Sequence, residues 1–309
     1  MDRRARWFIA VALGVTGACR STPGDEGVGL RRAAEEVPGA RTVAPPTSAS
    51  SASTTVVATS TTVPGPPVAA DTPAGLAVQI TEAERAIREP STPVARLARA
   101  GHTQQVVYGR LSVREEWQAE VLALVPPDIQ PIVDVNLRAA TDLARQAAAD
   151  VAAHGGPSRE LPDWRIVTPP PPDELLAEYR SAESATGVPW QYLAAIHFVE
   201  TRMGRIRGNS VAGAQGPMQF IPSTWDIYGN GGDIHNTHDA IHAAARMLRN
   251  NGAPSDMASA LYSYNPSNRY VRAGSVYAEQ MRTDDRAYLG YYHWQVYYGS
   301  RLLPEGFGS

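Results

Sequence analysis

The chain has 309 residues, enough for one large domain or two smaller ones, and a formal net charge of −3 at pH 7. That balance does not point to nucleic acid, so none is expected as a partner. A single cysteine excludes both a disulfide framework and a cysteine-rich metal centre.

The N-terminus reads as an export signal. Arg3, Arg4 and Arg6 form a basic start, and Trp7 to Ala18 is an apolar run too short for a membrane span. Thr16-Gly17-Ala18-Cys19 closes it with small residues before the cysteine. This segment resembles a bacterial lipobox, with Thr16 where a branched apolar residue is usual. The resemblance implies lipidation of Cys19 and anchoring of the mature chain to a membrane. Ordinary signal cleavage nearby is the alternative, and either route takes the chain out of the cytoplasm.

Residues 20–76 lack hydrophobic periodicity, and Ala44 to Pro67 is rich in Ser, Thr, Pro and Ala. Such a composition cannot bury a core and predicts an extended tether. Residues 77–156 are expected to form a helical accessory region. Thr81-Glu82-Ala83-Glu84 has capping-box form and opens a helix ending at Glu89-Pro90. Pro93 opens a second, which Gly101 stops; Val106 to Val125 and the Ala-rich stretch Ile129 to His154 are longer ones. Residues 157–172 are a stiff, Pro-rich connector.

Residues 173–309 are enough for a single core of their own. Asp173 caps a helix through Thr186, and Gly187-Val188-Pro189 turns into the helix that carries Glu200. Further helices are expected from the Asn236–Asp239 cap to Asn250, over Asp256 to Tyr264, over Asn268 to Met281 and over Ala287 to Tyr298. The fold class is therefore mainly α, with room for one small β-hairpin at Ile206 to Val211 or Gly229 to Ile234.

Glu200 carries the chemistry. Ile196, Glu200 and Met203 recur at helical spacing, which puts a carboxylate among apolar neighbours. Burial raises such a carboxyl's pKa, the route by which a carboxylic acid becomes a proton donor near neutral pH. The alternative is a Glu turned outward or paired with Arg202, Arg205 or Arg207. Ser210 to Gln219 follows as a Gly-rich loop that permits close approach of a ligand to backbone. In it, Met218 and Phe220 frame Gln219, whose amide suits an N-acetyl group, and Pro222-Ser223-Thr224-Trp225 comes next. Trp225 and Tyr228 are sugar platforms or core residues.

Together these pieces resemble the lytic murein transglycosylases of the lysozyme-like superfamily. The resemblance spans about Trp190 to Val276. It rests on Val199-Glu200-Thr201-Arg202-Met203-Gly204, the Ser210–Gln219 loop, Thr224-Trp225 and Ala260-Leu261-Tyr262-Ser263-Tyr264-Asn265. The first of these is similar to a pattern of the membrane-bound B-type subgroup. Pro217, Thr201 and Pro266-Ser267 depart from the usual Leu, Ser and Ala-Gly. The resemblance implies a lysozyme-like catalytic domain acting on peptidoglycan glycan strands. It also implies Glu200 as the acid/base assisted by Ser210, with Met218, Gln219, Thr224, Trp225, Tyr264 and Asn265 at the substrate, and no cofactor.

Ordinary glycosidases need two carboxylates. After Glu200 none occurs until Asp226, which a helix start explains. A substrate-assisted reaction therefore fits better, with hydrolysis through Asp226 or Asp233, or a non-catalytic wall-binding module, as alternatives. His238 and His242 share a helix face, but no protease-type Glu accompanies them, and no metal is expected. His197 is read as a packed core histidine.

Overall fold

The computed structural model describes residues 65–153, 156 and 160–308. The export signal, Cys19 and the tether up to Pro64 lie outside the described residues.

Helix α1 (Pro73–Arg88) starts where Thr72 accepts the Gly75 N–H at 3.2 Å and Pro73 supplies a pre-set φ at the first position. The expected cap at Thr81 is therefore corrected, and helix begins three residues before the tether's assumed end. Glu84 is no cap residue. It is fully buried and binds Tyr108, Arg88 and the Gln104 amide, the last at 3.1 Å.

Helix α2 (Val94–Val113) runs straight through Gly101. A Cβ at Gly101 would lie 2.4 Å from the Gly290 carbonyl oxygen, so this glycine marks a close helix crossing and not a stop. The break comes at Arg114, followed by a 3₁₀ turn (Glu115–Trp117), α3 (Gln118–Leu124) and α4 (Gln130–Ala153).

Strand β1 (Arg165–Ile166) precedes α5 (Pro172–Thr186) and α6 (Trp190–Thr201). The first residue of α5 is Pro172, which leaves Asp173 in the first turn and not at the cap. Strand β2 (Ile206–Arg207) pairs antiparallel with β1 instead of closing a local hairpin. Helices α7 (Pro222–Tyr228), α8 (Thr237–Asn250), α9 (Met257–Tyr264), α10 (Asn268–Thr283) and α11 (Asp285–Tyr292) follow. The expected helix to Tyr298 ends early, because the β-branched and aromatic run Val296–Tyr298 forms β3 and turns at Gly299, φ +58°, into β4 (Arg301–Leu303). The described chain is mainly α, with two small two-stranded sheets.

The N-terminal helices are not a separate layer. Residues of α1, α2 and α4 share one buried core with α5, α6 and α8 to α11, and α4 lies along α10. Polar bonds fix the register: Trp294 Nε1 donates to Gln104 at 2.8 Å, and Arg272 grips Asp142 with two bonds of 2.8 and 2.6 Å. None of the described helices is long and apolar enough to cross a membrane.

The Gly101 crossing gives a direct check. Replacing Gly101 with Ala forces α2 away from Gly290 and is expected to cost about 1–3 kcal/mol, a drop of several degrees in Tm. An unchanged Tm would show that the two backbones do not meet there.

Candidate active site

Helix α6 has no solvent face: every residue from Leu193 to Val199 is buried. A helix apolar all round belongs inside a core. The aromatic cluster of Phe198, Tyr277, Tyr291 and Trp294 holds it there, with Phe198 centred 5.0 to 5.1 Å from each of the others. Glu200, just past this buried run, is half-buried. Loss of water around its carboxyl raises the pKa from 4.5 to about 8. The Tyr270 hydroxyl, at the start of α10, donates to Glu200 Oε1 at 2.9 Å and moderates that rise.

Among the described residues no cation neutralises this carboxyl, and the three candidate arginines are engaged elsewhere. Arg202 donates to the Phe198 carbonyl at 2.8 Å with its guanidinium over the Phe198 ring; Arg205 donates to the Tyr292 carbonyl at 3.0 Å. Arg207 reaches the His235 carbonyl at 3.4 Å. The cation of Arg202 sits at the C-terminal carbonyls of α6, where it offsets the helix dipole.

The helix ends abruptly. Arg202, Met203 and Gly204 take successive φ values of +55°, +60° and +83°. Left-handed conformation costs a non-glycine residue about 1 kcal/mol, so local bonds must hold it. Thr201 does so by accepting the Gly204 N–H at 3.0 Å and donating to the Pro217 carbonyl at 2.6 Å. This bond joins the end of α6 to the loop that follows β2.

That loop is rigid by construction. Gln215 and Phe220 exchange two backbone bonds of 2.8 and 2.9 Å. Gly216 sits at φ +73°, and any Cβ there would lie 1.8 Å from the Ile234 carbonyl oxygen. Gln219, itself at φ +51°, folds its amide back onto the carbonyls of Gly216 and Gly208 at 2.9 and 3.4 Å. Ser210 Oγ accepts the Ala214 N–H at 3.0 Å, so it braces its own loop and makes no bond to Glu200.

Met218 and Tyr264, both expected at the substrate, are buried. Met218 is fully buried, and its carbonyl accepts the Tyr264 hydroxyl at 2.5 Å. Tyr264, only 2% exposed, braces the loop through this bond; Tyr262, on the opposite side of α9, is 46% exposed. Asn265 caps α9 and is buried. Thr224 and Trp225 are half-buried on α7, with Trp225 packed edge-on against Phe220 at 5.5 Å.

Tyr270 was missed by sequence reasoning. Its only signal is membership of the buried stripe Tyr270, Ala273, Tyr277 and Met281, which gives no hint that its hydroxyl meets Glu200. His197 is buried and neutral, with burial lowering its pKa to about 3, and its Nδ1 bonds the Tyr179 hydroxyl at 2.7 Å. His238 and His242 do share a face, and Glu178 joins them from α5, the three ligand-type atoms lying within 4.8 Å. Glu178 is drawn onto His238 Nδ1 at 2.6 Å, an exposed pair that accounts for the grouping.

Asp226 is exposed on α7, and Asp233 is exposed with its Oδ1 accepting the His235 N–H at 2.9 Å. Neither contributes to the raised pKa of Glu200, which desolvation causes.

The sign of the linkage follows. Glu200 ionises near 4.5 when unfolded and about 8 when folded, so folding takes up a proton between those values and stability falls as pH rises through the window. Glu200→Gln removes this loss. The variant should gain on the wild type as pH rises from 5 to 8, by on the order of 3 kcal/mol in thermal or urea unfolding, and then level off. A pH-independent difference would contradict burial of the free carboxyl.

Comparison with protein families, with curated proteins and with solved structures finds no match to this chain.

Proposed function

We propose that the protein is a peptidoglycan lytic transglycosylase with a lysozyme-like catalytic region. The observation that carries this is Glu200: a carboxyl with its pKa raised to about 8, hydrogen-bonded by a buried tyrosine, without a basic partner among the described residues. Such a group is protonated at neutral pH and is suited to general-acid work. The order of motifs around it supports the substrate class.

In this mechanism Glu200 donates its proton to the glycosidic oxygen between N-acetylmuramic acid and N-acetylglucosamine. The muramyl acetamide oxygen attacks C1 as the C1–O bond breaks, giving an oxazolinium ion. Glu200, now a carboxylate, takes the proton of the muramyl 6-hydroxyl. That oxygen displaces the acetamide from C1 and closes a 1,6-anhydro ring without consuming water. Substrate assistance is a known departure from the two-carboxylate rule, and it fits a sequence with no acidic residue between Glu200 and Asp226. Tyr270 steadies the carboxylate after proton donation. Export and lipidation at Cys19 would place this reaction in the cell-wall zone.

Three experiments test the proposal. Mass analysis of muropeptides released from purified sacculi by the full chain is expected to find anhydro ends. Reducing ends would instead indicate hydrolysis through Asp226 or Asp233, and no release a binding module. Glu200→Gln should lower the rate at least about a hundredfold, and full activity in that variant would refute the assignment. Tyr270→Phe removes a bond that favours the ionised form, so the alkaline limb of the pH–rate profile should move upward. A downward shift would contradict the assigned donor direction.

A further inference from the structure

A cavity of about 420 Å³ opens where β1 and β2 meet the loop around Gly216, lined by Arg165, Ile206, Arg207, Gly208, Gly216 and His235. Glu200 is not part of its wall. Arg165 and Arg207 are direct cross-strand partners in the two-residue ladder. Like charges placed directly opposite one another destabilise a strand pair. Among the described residues no carboxylate pairs with either guanidinium. Arg165 is exposed, while Arg207 is partly buried in the cavity wall. Arg207 has only the long bond to the His235 carbonyl. Asp233, two residues before His235, turns its Oδ1 to a backbone N–H instead. Burial lowers the pKa of Arg207, and the neighbouring Arg165 lowers it further.

We propose that this cavity is an oxyanion subsite in which Arg165 and Arg207 jointly hold a carboxylate or phosphate group. Guanidinium groups present paired N–H donors that match such oxygens, and a bound anion converts the like-charge opposition into a shared attraction. At Gly216 a Cβ would meet the Ile234 carbonyl oxygen at 1.8 Å, so this wall of the cavity is closely packed backbone. The same loop carries Gln219, whose amide holds the carbonyls of Gly208 and Gly216, so cavity and loop are built as one piece. That the anion belongs to the wall polymer rests on the catalytic reading; the oxyanion chemistry does not.

The full chain is titrated with acetate and, separately, with inorganic phosphate at constant ionic strength, following the Nε–Hε signals of its arginines by NMR. A saturating shift of Arg207 is expected, and the tighter arm identifies carboxylate or phosphate as the group held. Arg165→Gln should weaken that binding by about tenfold while leaving Tm unchanged or raised, because it also removes the opposed charge. Linear responses to both anions would overturn the proposal. So would unchanged binding by Arg165→Gln, with or without a fall in Tm. Glu200→Gln should bind as the wild type does, so failure of catalysis and failure of the subsite are separate results.

Discussion

The structure turns on one half-buried carboxyl group with no counter-ion among the described residues. Burying a charge costs several kcal/mol unless it is paired, and an unpaired group escapes that cost by staying protonated. Glu200 has three arginines within seven residues, and each is committed to a carbonyl: those of Phe198, Tyr292 and His235. Diverting the cations keeps the proton on the acid. Had any one of them turned toward Glu200, its pKa would fall below neutrality and the group would be ionised before any reaction began.

Much of the chain holds that arrangement in place. The aromatic cluster around Phe198 fixes α6 laterally, and Thr201 ties its end to Pro217. Tyr264 supports the same loop through Met218, while Tyr270 reaches the carboxyl from α10. Helix α10 in turn lies on α4, held by the Arg272–Asp142 pair and by Ser267 on Gln146. The N-terminal helices therefore position a site that lies far along the sequence.

Local signals carried far in the sequence and long-range ones did not. The caps at Asn236 and Asp256 were legible because a side chain meets a backbone N–H a few residues away. Glu200 was legible because a lone acid stood out in an apolar run, although burial surrounds α6 on all sides and no stripe exists to read. Gly101 misled because a glycine that permits a crossing looks the same in sequence as one that ends a helix. The pairing of β1 with β2 joins residues about forty apart, with α5 and α6 between them, and no local pattern reveals it. For the same reason Tyr264 was expected at a ligand and is found bracing the loop, and Tyr270 was passed over as core. Both assignments depend on which way a phenol points once distant helices have docked.

The central claim is that Glu200 holds its proton at neutral pH before any substrate arrives. Carbon-13 NMR titration of the side-chain carboxyls in the full, unliganded chain, with Glu200→Gln to identify the signal, measures this directly. The Glu200 carboxyl should titrate near pH 8, well apart from the exposed glutamates. A midpoint in the ordinary carboxylate range would show a solvated, ionised group and would contradict the account.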